Sequence, residues 1–337
     1  MCKRIAALAV FAILLGAPLF ATGKVEAKAR ELVIWTYDSF SSEWGPGPAV
    51  SKDFFEQTGI TVRWVSHGDA GELLARLLVE GAGAQADIIL GLDQNLTSRA
   101  LASGLLEAYK PAGAENIAPE LLIDPGWSLI PFDYSYFAFV YDSQSLPRAP
   151  SGLEELTGEQ YAGKIILLDP RSSSPGIGFF AWVRAVYGEG WRDYWRRLAP
   201  SILTIAESWS TGYGLFTNEE APLVLSYTTS PSYHLEYEGS ERFKAAIFGE
   251  GHPIQVELAG LLRAASNKED ARAFLDYMVS PGFQALIPLG NWMYPVIRIP
   301  LPASFRIAPQ SGRILRTEAP TEAELNEWAL LMRETRR

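Results

Sequence analysis

Four stretches of this chain gather aromatic rings and small hydroxyls where apolar runs end. The first, Tyr37-Asp38-Ser39-Phe40, follows LVIWT and leads to Trp44 in a loop dense in Gly and Pro. The second is Ser172-Ser173-Ser174, just before a helical pattern opened by Pro175. The third places Trp209 in ESWSTGY, then runs the apolar strand 223–225 into Tyr227, Thr228, Thr229 and Ser230, with Tyr233 beyond. The fourth is NWMYP, which carries Trp292 and Tyr294. Ring faces of this kind stack on flat heteroaromatics and attract cations. Hydroxyls and free amides at a helix start receive an anion or a phosphate. Each stretch also has a plainer use. The rings at Tyr37, Phe40 and Trp44 can cap a sheet, and one serine of the three suffices for an N-cap. Asp69, in HGDAG, is either a helix cap or a counter-charge to a ligand.

Catalytic signatures are missing. Cys2 is the only cysteine, and it lies in the N-terminal segment, so the remainder offers no thiolate nucleophile, disulfide or thiolate metal site. His67, His234 and His252 have no close metal-ligand spacing. There is no HExxH, no GxSxG and no phosphate loop ending in Gly-Lys-Ser/Thr. The formal charge of −10 argues against nucleic acid or an anionic membrane as the main partner. It suits a cationic ligand and still allows a local anion site.

The 337 residues, 48% hydrophobic and 20% charged, form an ordinary globular composition too long for one compact core. Residues 1–21 read as a signal peptide: Lys3 and Arg4, an apolar run too short to span a bilayer, and a small residue at Ala21. Strands at 32–36, 61–65 and 87–92 alternate with helices at 48–58 and 71–80, which predicts an α/β fold with a partly parallel sheet. The unbroken aromatic run 132–141 predicts a long strand leading to a second lobe, and IQVEL at 254–258 a strand returning from it. Residues 31–135 with 255–337 are expected to build lobe 1, and 136–254 lobe 2. Ser266 and Glu269 form a capping-box pattern for a helix at 267–278, and Ser280-Pro281 opens another. After the proline-punctuated stretch 300–320, a last helix is predicted at 321–333.

These segments carry a resemblance. YDSFSSEWGPGPAV, ADIILGLDQNL, FDYSYFAFVYD, DPRSSSPGIGF, LVLSYTTSPSYH, EGHPIQVE and NWMYPV, in that order, resemble the thiamine-binding periplasmic proteins of bacterial ABC importers. The resemblance implies a type II solute-binding fold, a ligand cleft between two lobes, and no chemistry on the ligand. It implies export to the periplasm, a monomer without cofactor, and capture of thiamine, thiamine monophosphate or thiamine diphosphate for an inner-membrane permease. The family's binding positions fall on Asp69, Ala70, Ser173, Ser174, Trp209, Tyr227, Thr228, Thr229 and Ser230. Tyr233, Trp292, Tyr37 and Trp44 match positions expected to line the same cleft. Ala70 stands where relatives look like glycine, which makes an amide donor there less accessible; Ser174 stands where a threonine can, and keeps the hydroxyl.

Three other readings compete. A thiaminase-like enzyme would use a cysteine nucleophile that only Cys2 could supply. A ferric-ion-binding protein would use tyrosines with a His, loosely matched by Tyr227, Tyr233 and His234. The third is a binder of another cationic or heteroaromatic solute.

Overall fold

The computed structural model describes residues 30–309 and 312–335, so the expected signal peptide lies outside the described residues. The strands in chain order are β1 (Glu31–Thr36), β2 (Thr61–Ser66), β3 (Ile88–Asp93), β4 (Leu106–Glu107), β5 (Ile130–Asp142) and β6 (Ile165–Leu168). They continue with β7 (Ile202–Ala206), β8 (Leu223–Tyr227), β9 (Phe243–Ala246), β10 (His252–Leu262), β11 (Tyr294–Pro295) and β12 (Ile314–Leu315). The main path runs β2-β1-β3-β10-β5-β8-β6-β7.

β1 pairs in parallel with β2 and β3, and β6 in parallel with β7 and β8, as βαβ crossovers require. Two antiparallel strands join these halves. The first part of β5 pairs with β10, from Ile130↔Ala259 to Tyr136↔Ile254. From Phe137 to Tyr141 the same strand pairs with β8 instead. A single 13-residue strand thus belongs to both lobes. Its lack of Gly, and of any Pro after the first two residues, lets it stay extended across the handover.

Aromatic pairs pack within each half, as parts of one continuous core. Phe54 packs edge-on to Phe274 at 5.2 Å in the first, and Phe139 to Phe179 at 5.3 Å in the second. Helices start close to where the sequence predicts: Gly47–Thr58, Ala70–Glu80, Ser174–Tyr187 and Pro281–Gly290. Ser280 caps the last of these through the amide of Phe283.

Two expectations are corrected. The capping box does not form. The helix is Lys268–Met278, and its N-cap is Asn267, whose backbone amide and side chain both bond Asp87 instead. The final helix, Glu322–Thr335, touches the first lobe through the Glu322–Arg99 ion pair but has its main contacts elsewhere. It packs on Trp191–Leu198, with Trp328 edge-on to Trp195 at 5.5 Å and Glu324 paired to Arg184.

Candidate functional site

The loops after β1, β7 and β8, the start of two helices, the strands β3 and β10 and the turn before β11 meet between the halves. They enclose two joined compartments that share Trp44, Trp209, Ser230 and Trp292. The inner one, about 40 Å³, has a largely apolar wall into which Tyr37, Asp69, Ser174, Tyr227, Glu257 and Asn291 bring polar groups. The outer one, about 320 Å³, is walled mainly by Trp44, Trp209, Tyr213, Tyr233 and Trp292. The outer has room for a ring system; the inner, as drawn, holds only a few waters.

At the inner floor Tyr37 turns inward from the end of β1. Its ring lies against Gly91, where a Cβ would come within 2.2 Å of it. Gly91 has φ +107, a conformation that also favours glycine. The Tyr37 hydroxyl donates to Glu257 Oε2 at 2.6 Å, and Gln255 donates to Glu257 Oε1 at 2.8 Å. Asn291 donates to the Tyr37 oxygen at 2.9 Å and to Asp133 Oδ2 at 2.6 Å.

Asp69 caps the helix Ala70–Glu80 and also crosses the cleft. Its Oδ1 accepts the Ala70 amide at 2.7 Å, and its Oδ2 accepts the Trp209 amide at 3.1 Å. The Ala70 amide is therefore already engaged. Burial lifts the Asp69 carboxyl to about 6, against the opposing pull of these hydrogen bonds. Two further bonds join the halves here: Ser210 Oγ to Asp38 Oδ2 at 2.6 Å, and the Gly71 amide to the Ser172 carbonyl at 2.8 Å.

The serines do not cap their helix. Ser172 Oγ donates to the Glu207 carbonyl, while Ser173 makes no side-chain cap. The Ser173 and Ser174 hydroxyls are buried and have no hydrogen-bond partner. They sit beside Asp69 and Asp93 and ease the charge on both, yet neither reaches hydrogen-bond geometry. The Ser174 hydroxyl, unpaired at the cavity wall, is placed to take a partner from outside the chain.

The rings differ in what holds them. Trp209 stacks on Tyr213 at 4.9 Å and donates from Nε1 to Ser226 Oγ at 2.9 Å. Tyr227 stacks on Phe137 at 5.6 Å, its hydroxyl donating to Gln255. Trp292, at φ 56, is buried edge-on to Tyr233 and Tyr237. Trp44 is 56% exposed and reaches across to Trp209 with centroids 6.4 Å apart.

Of the residues singled out in the sequence, Tyr37, Trp44, Asp69, Ala70, Ser174, Trp209, Tyr227, Ser230 and Trp292 line the inner compartment, and Tyr233 lines the outer. Ser173 lies just behind the wall. Thr228 and Thr229 do not reach either compartment. Both are fully buried, Thr229 bonding Ser135 at 2.9 Å. Four residues escaped the sequence reading: Glu257 and Asn291 at the floor, and Asp133 and Asp93 buried behind it. The signal for the three acids was a carboxylate within an otherwise apolar or aromatic strand, in IQVEL, FDYSY and IILGLD.

A family model described as "Bacterial extracellular solute-binding protein" matches residues 84–310. A curated relative from Brucella abortus biovar 1, "Thiamine-binding periplasmic protein", is 43% identical, covering 90% of this chain and 92% of its own length. A relative of the same name from Escherichia coli K12 is 42% identical, covering 92% and 94%. The chain belongs to this family of thiamine-binding periplasmic proteins. The family's fold is also seen in a solved structure titled "Periplasmic thiamin binding protein", at TM-score 0.83 and 40% identity, covering 91% of this chain and 96% of that one. The ferric reading loses its geometry. Tyr233 packs against the His234 ring, but both His234 nitrogens are engaged, by Tyr213 and Glu238, and the Tyr227 hydroxyl bonds Gln255 on the inner wall.

The serine pair gives a first prediction. Ser173→Ala with Ser174→Ala is expected to weaken the phosphate esters of thiamine by about tenfold or more relative to free thiamine, since charge-assisted hydrogen bonds contribute about 1.5–3 kcal/mol each. Melting of the ligand-free protein should move little, because neither hydroxyl makes a well-formed hydrogen bond and each only eases a neighbouring carboxylate. Equal loss for esters and free thiamine in calorimetric titration would remove the serines from the phosphate's reach.

Proposed function

We propose that this chain is the periplasmic solute-binding component of an ABC importer, capturing thiamine and its phosphate esters and delivering them to an inner-membrane permease. The observation that carries the reading is a cleft with tryptophan and tyrosine walls over a floor of carboxylates, in a chain 43% identical to a thiamine-binding relative. Thiamine joins a flat aminopyrimidine to a thiazolium cation, so stacking walls and an acidic floor match both of its features. The aminopyrimidine fits the outer compartment, with the thiazolium turned toward the acids of the inner one and Ser173 and Ser174 set to receive a hydroxyethyl or phosphate tail.

In this reading residues 1–21 direct export and the mature protein acts as a monomer. Lobes built from 31–135 with 255 onward, and from 136–254, close on the ligand about β5 and β10, the final helix lying across to the second lobe. No step of bond making is assigned to the cleft.

Trp44, Trp209 and Trp292 line both compartments, so thiamine is expected to change tryptophan fluorescence saturably at sub-micromolar concentration, more than about 8 kcal/mol of binding free energy. An unchanged emission with every thiamine form would overturn the proposal.

A further inference from the structure

Every charged residue lining the two compartments is acidic; no Lys, Arg or His lines either among the described residues. Glu257 reaches the inner wall from the middle of β10. Asp133 stands directly opposite it on β5, in the register Glu257↔Asp133. Asp93 approaches from the end of β3, and Asp69 from its helix start. All four are more than nine-tenths buried.

Only neutral donors hold them. Glu257 receives Tyr37 and Gln255, Asp133 receives Asn291, and Asp93 and Asp69 receive backbone amides. Asp133 Oδ1 and Asp93 Oδ2 have no partner at all. The Ser174 hydroxyl, 4% exposed and also without a partner, lies on the same wall. A floor of this kind is incomplete electrostatically: it contains several acids, hydrogen-bond donors, and no cation.

We infer that Glu257 is the residue by which the cleft selects a positively charged ligand over a neutral one of the same shape. This rests on the thiamine reading and deepens it, since the aromatic walls alone accept any flat ring. Buried acids this close cannot all ionise in an empty cleft, so some keep their protons. Burial and the neighbouring Asp133 raise Glu257 well above the usual carboxylate range, and Asp69 and Asp93 add to the effect. The other titratable groups facing Glu257 are Tyr37 and Tyr227, both raised by burial and by Glu257 itself, and so neutral phenols. A cation arriving at the wall supplies the missing charge, and a proton leaves to solvent. Charge selection and proton release are thus one event.

The test uses thiamine and its thiophene isostere, which keeps the shape and lacks the ring cation. Calorimetric titration of the wild-type protein near pH 7.5, in phosphate and in Tris, separates protons released from binding heat. The expected result is tighter binding of thiamine than of the isostere, by tenfold or more. Thiamine should release a measurable fraction of a proton, and the isostere none. Glu257→Gln should weaken thiamine at least tenfold, change the isostere less than threefold, and diminish the proton release. Equal loss of both ligands in Glu257→Gln, or no proton release with thiamine in the wild type, would overturn the inference. The wild-type arm decides by itself where the variant folds poorly. Wild-type protein that binds neither compound would overturn the thiamine reading itself.

Discussion

Trp209→Ala is expected to weaken thiamine binding about ten- to a hundredfold, from lost stacking and cation–π attraction. Its cost to the ligand-free fold should be only about 1–3 kcal/mol, because the half-buried ring gives up one stack on Tyr213 and one hydrogen bond to Ser226. Two other tryptophans of the cleft should bracket it. Trp44, 56% exposed, touches only Trp209 among the rings, so Trp44→Ala should weaken binding and change stability by less than about 0.5 kcal/mol. Trp292 is 8% exposed and wedged against Tyr233 and Tyr237, so Trp292→Ala should cost about 3–5 kcal/mol of stability along with affinity. Melting each ligand-free variant beside its titration resolves the two effects. Intact affinity in Trp44→Ala and Trp209→Ala would show that these rings serve the fold alone.

The ligand-free protein is expected to lose stability as pH rises from about 6.5 to 8.5. Burial lifts Asp69 and Asp93 to about 6, so their share is lost mainly below this window, and raises Asp133 and Glu257 further, so that these two carry the loss within it. In the unfolded chain all four ionise near pH 4, so between there and their folded values the native state binds more protons. Their contribution is complete below the unfolded value and is lost as pH climbs through the folded one. The loss reaches about 1.4 kcal/mol per pH unit for each proton still held. His67, His234 and His252, lowered by burial, act in the opposite sense as pH falls through about 6.5, which sets the lower edge of the window. Asp142, held low by Arg242, is stabilising above about pH 4 and does not change within it. Thermal melts should therefore fall across this window and flatten when thiamine is bound. A level or rising melting temperature without ligand would contradict the placement of these acids.

Much of this architecture is legible in the chain. The apolar runs at β1, β3, β5, β8 and β10 sit where the sequence puts them, because period and punctuation are local properties. Three of the four segments are legible for the same reason: they lie just past the ends of β1, β6 and the pair β7 and β8, and the sheet brings strand ends together, whereas NWMYP follows a helix. The acidic floor was not legible. Asp133 and Glu257 meet only through the β5/β10 register, a pairing of residues 124 positions apart that no local pattern encodes. Thr228 and Thr229 look like Tyr227 and Ser230 in sequence, but the turn after β8 points them into the core. Ser266 and Glu269 had the right spacing for a capping box, and Asp87 from a distant strand end took over the cap residue between them. The final helix went to the second lobe for a similar reason. Trp328, Glu324 and Glu327 find Trp195, Arg184 and Arg192 there, all more than 130 residues earlier.

The most direct measurement of ligand capture is calorimetric titration of the purified mature protein with thiamine, its monophosphate and its diphosphate at pH 7. The expected result is one site per chain with a sub-micromolar dissociation constant for at least free thiamine. The absence of binding heat with all three forms, in a protein that melts cooperatively, would contradict the assignment of the cleft.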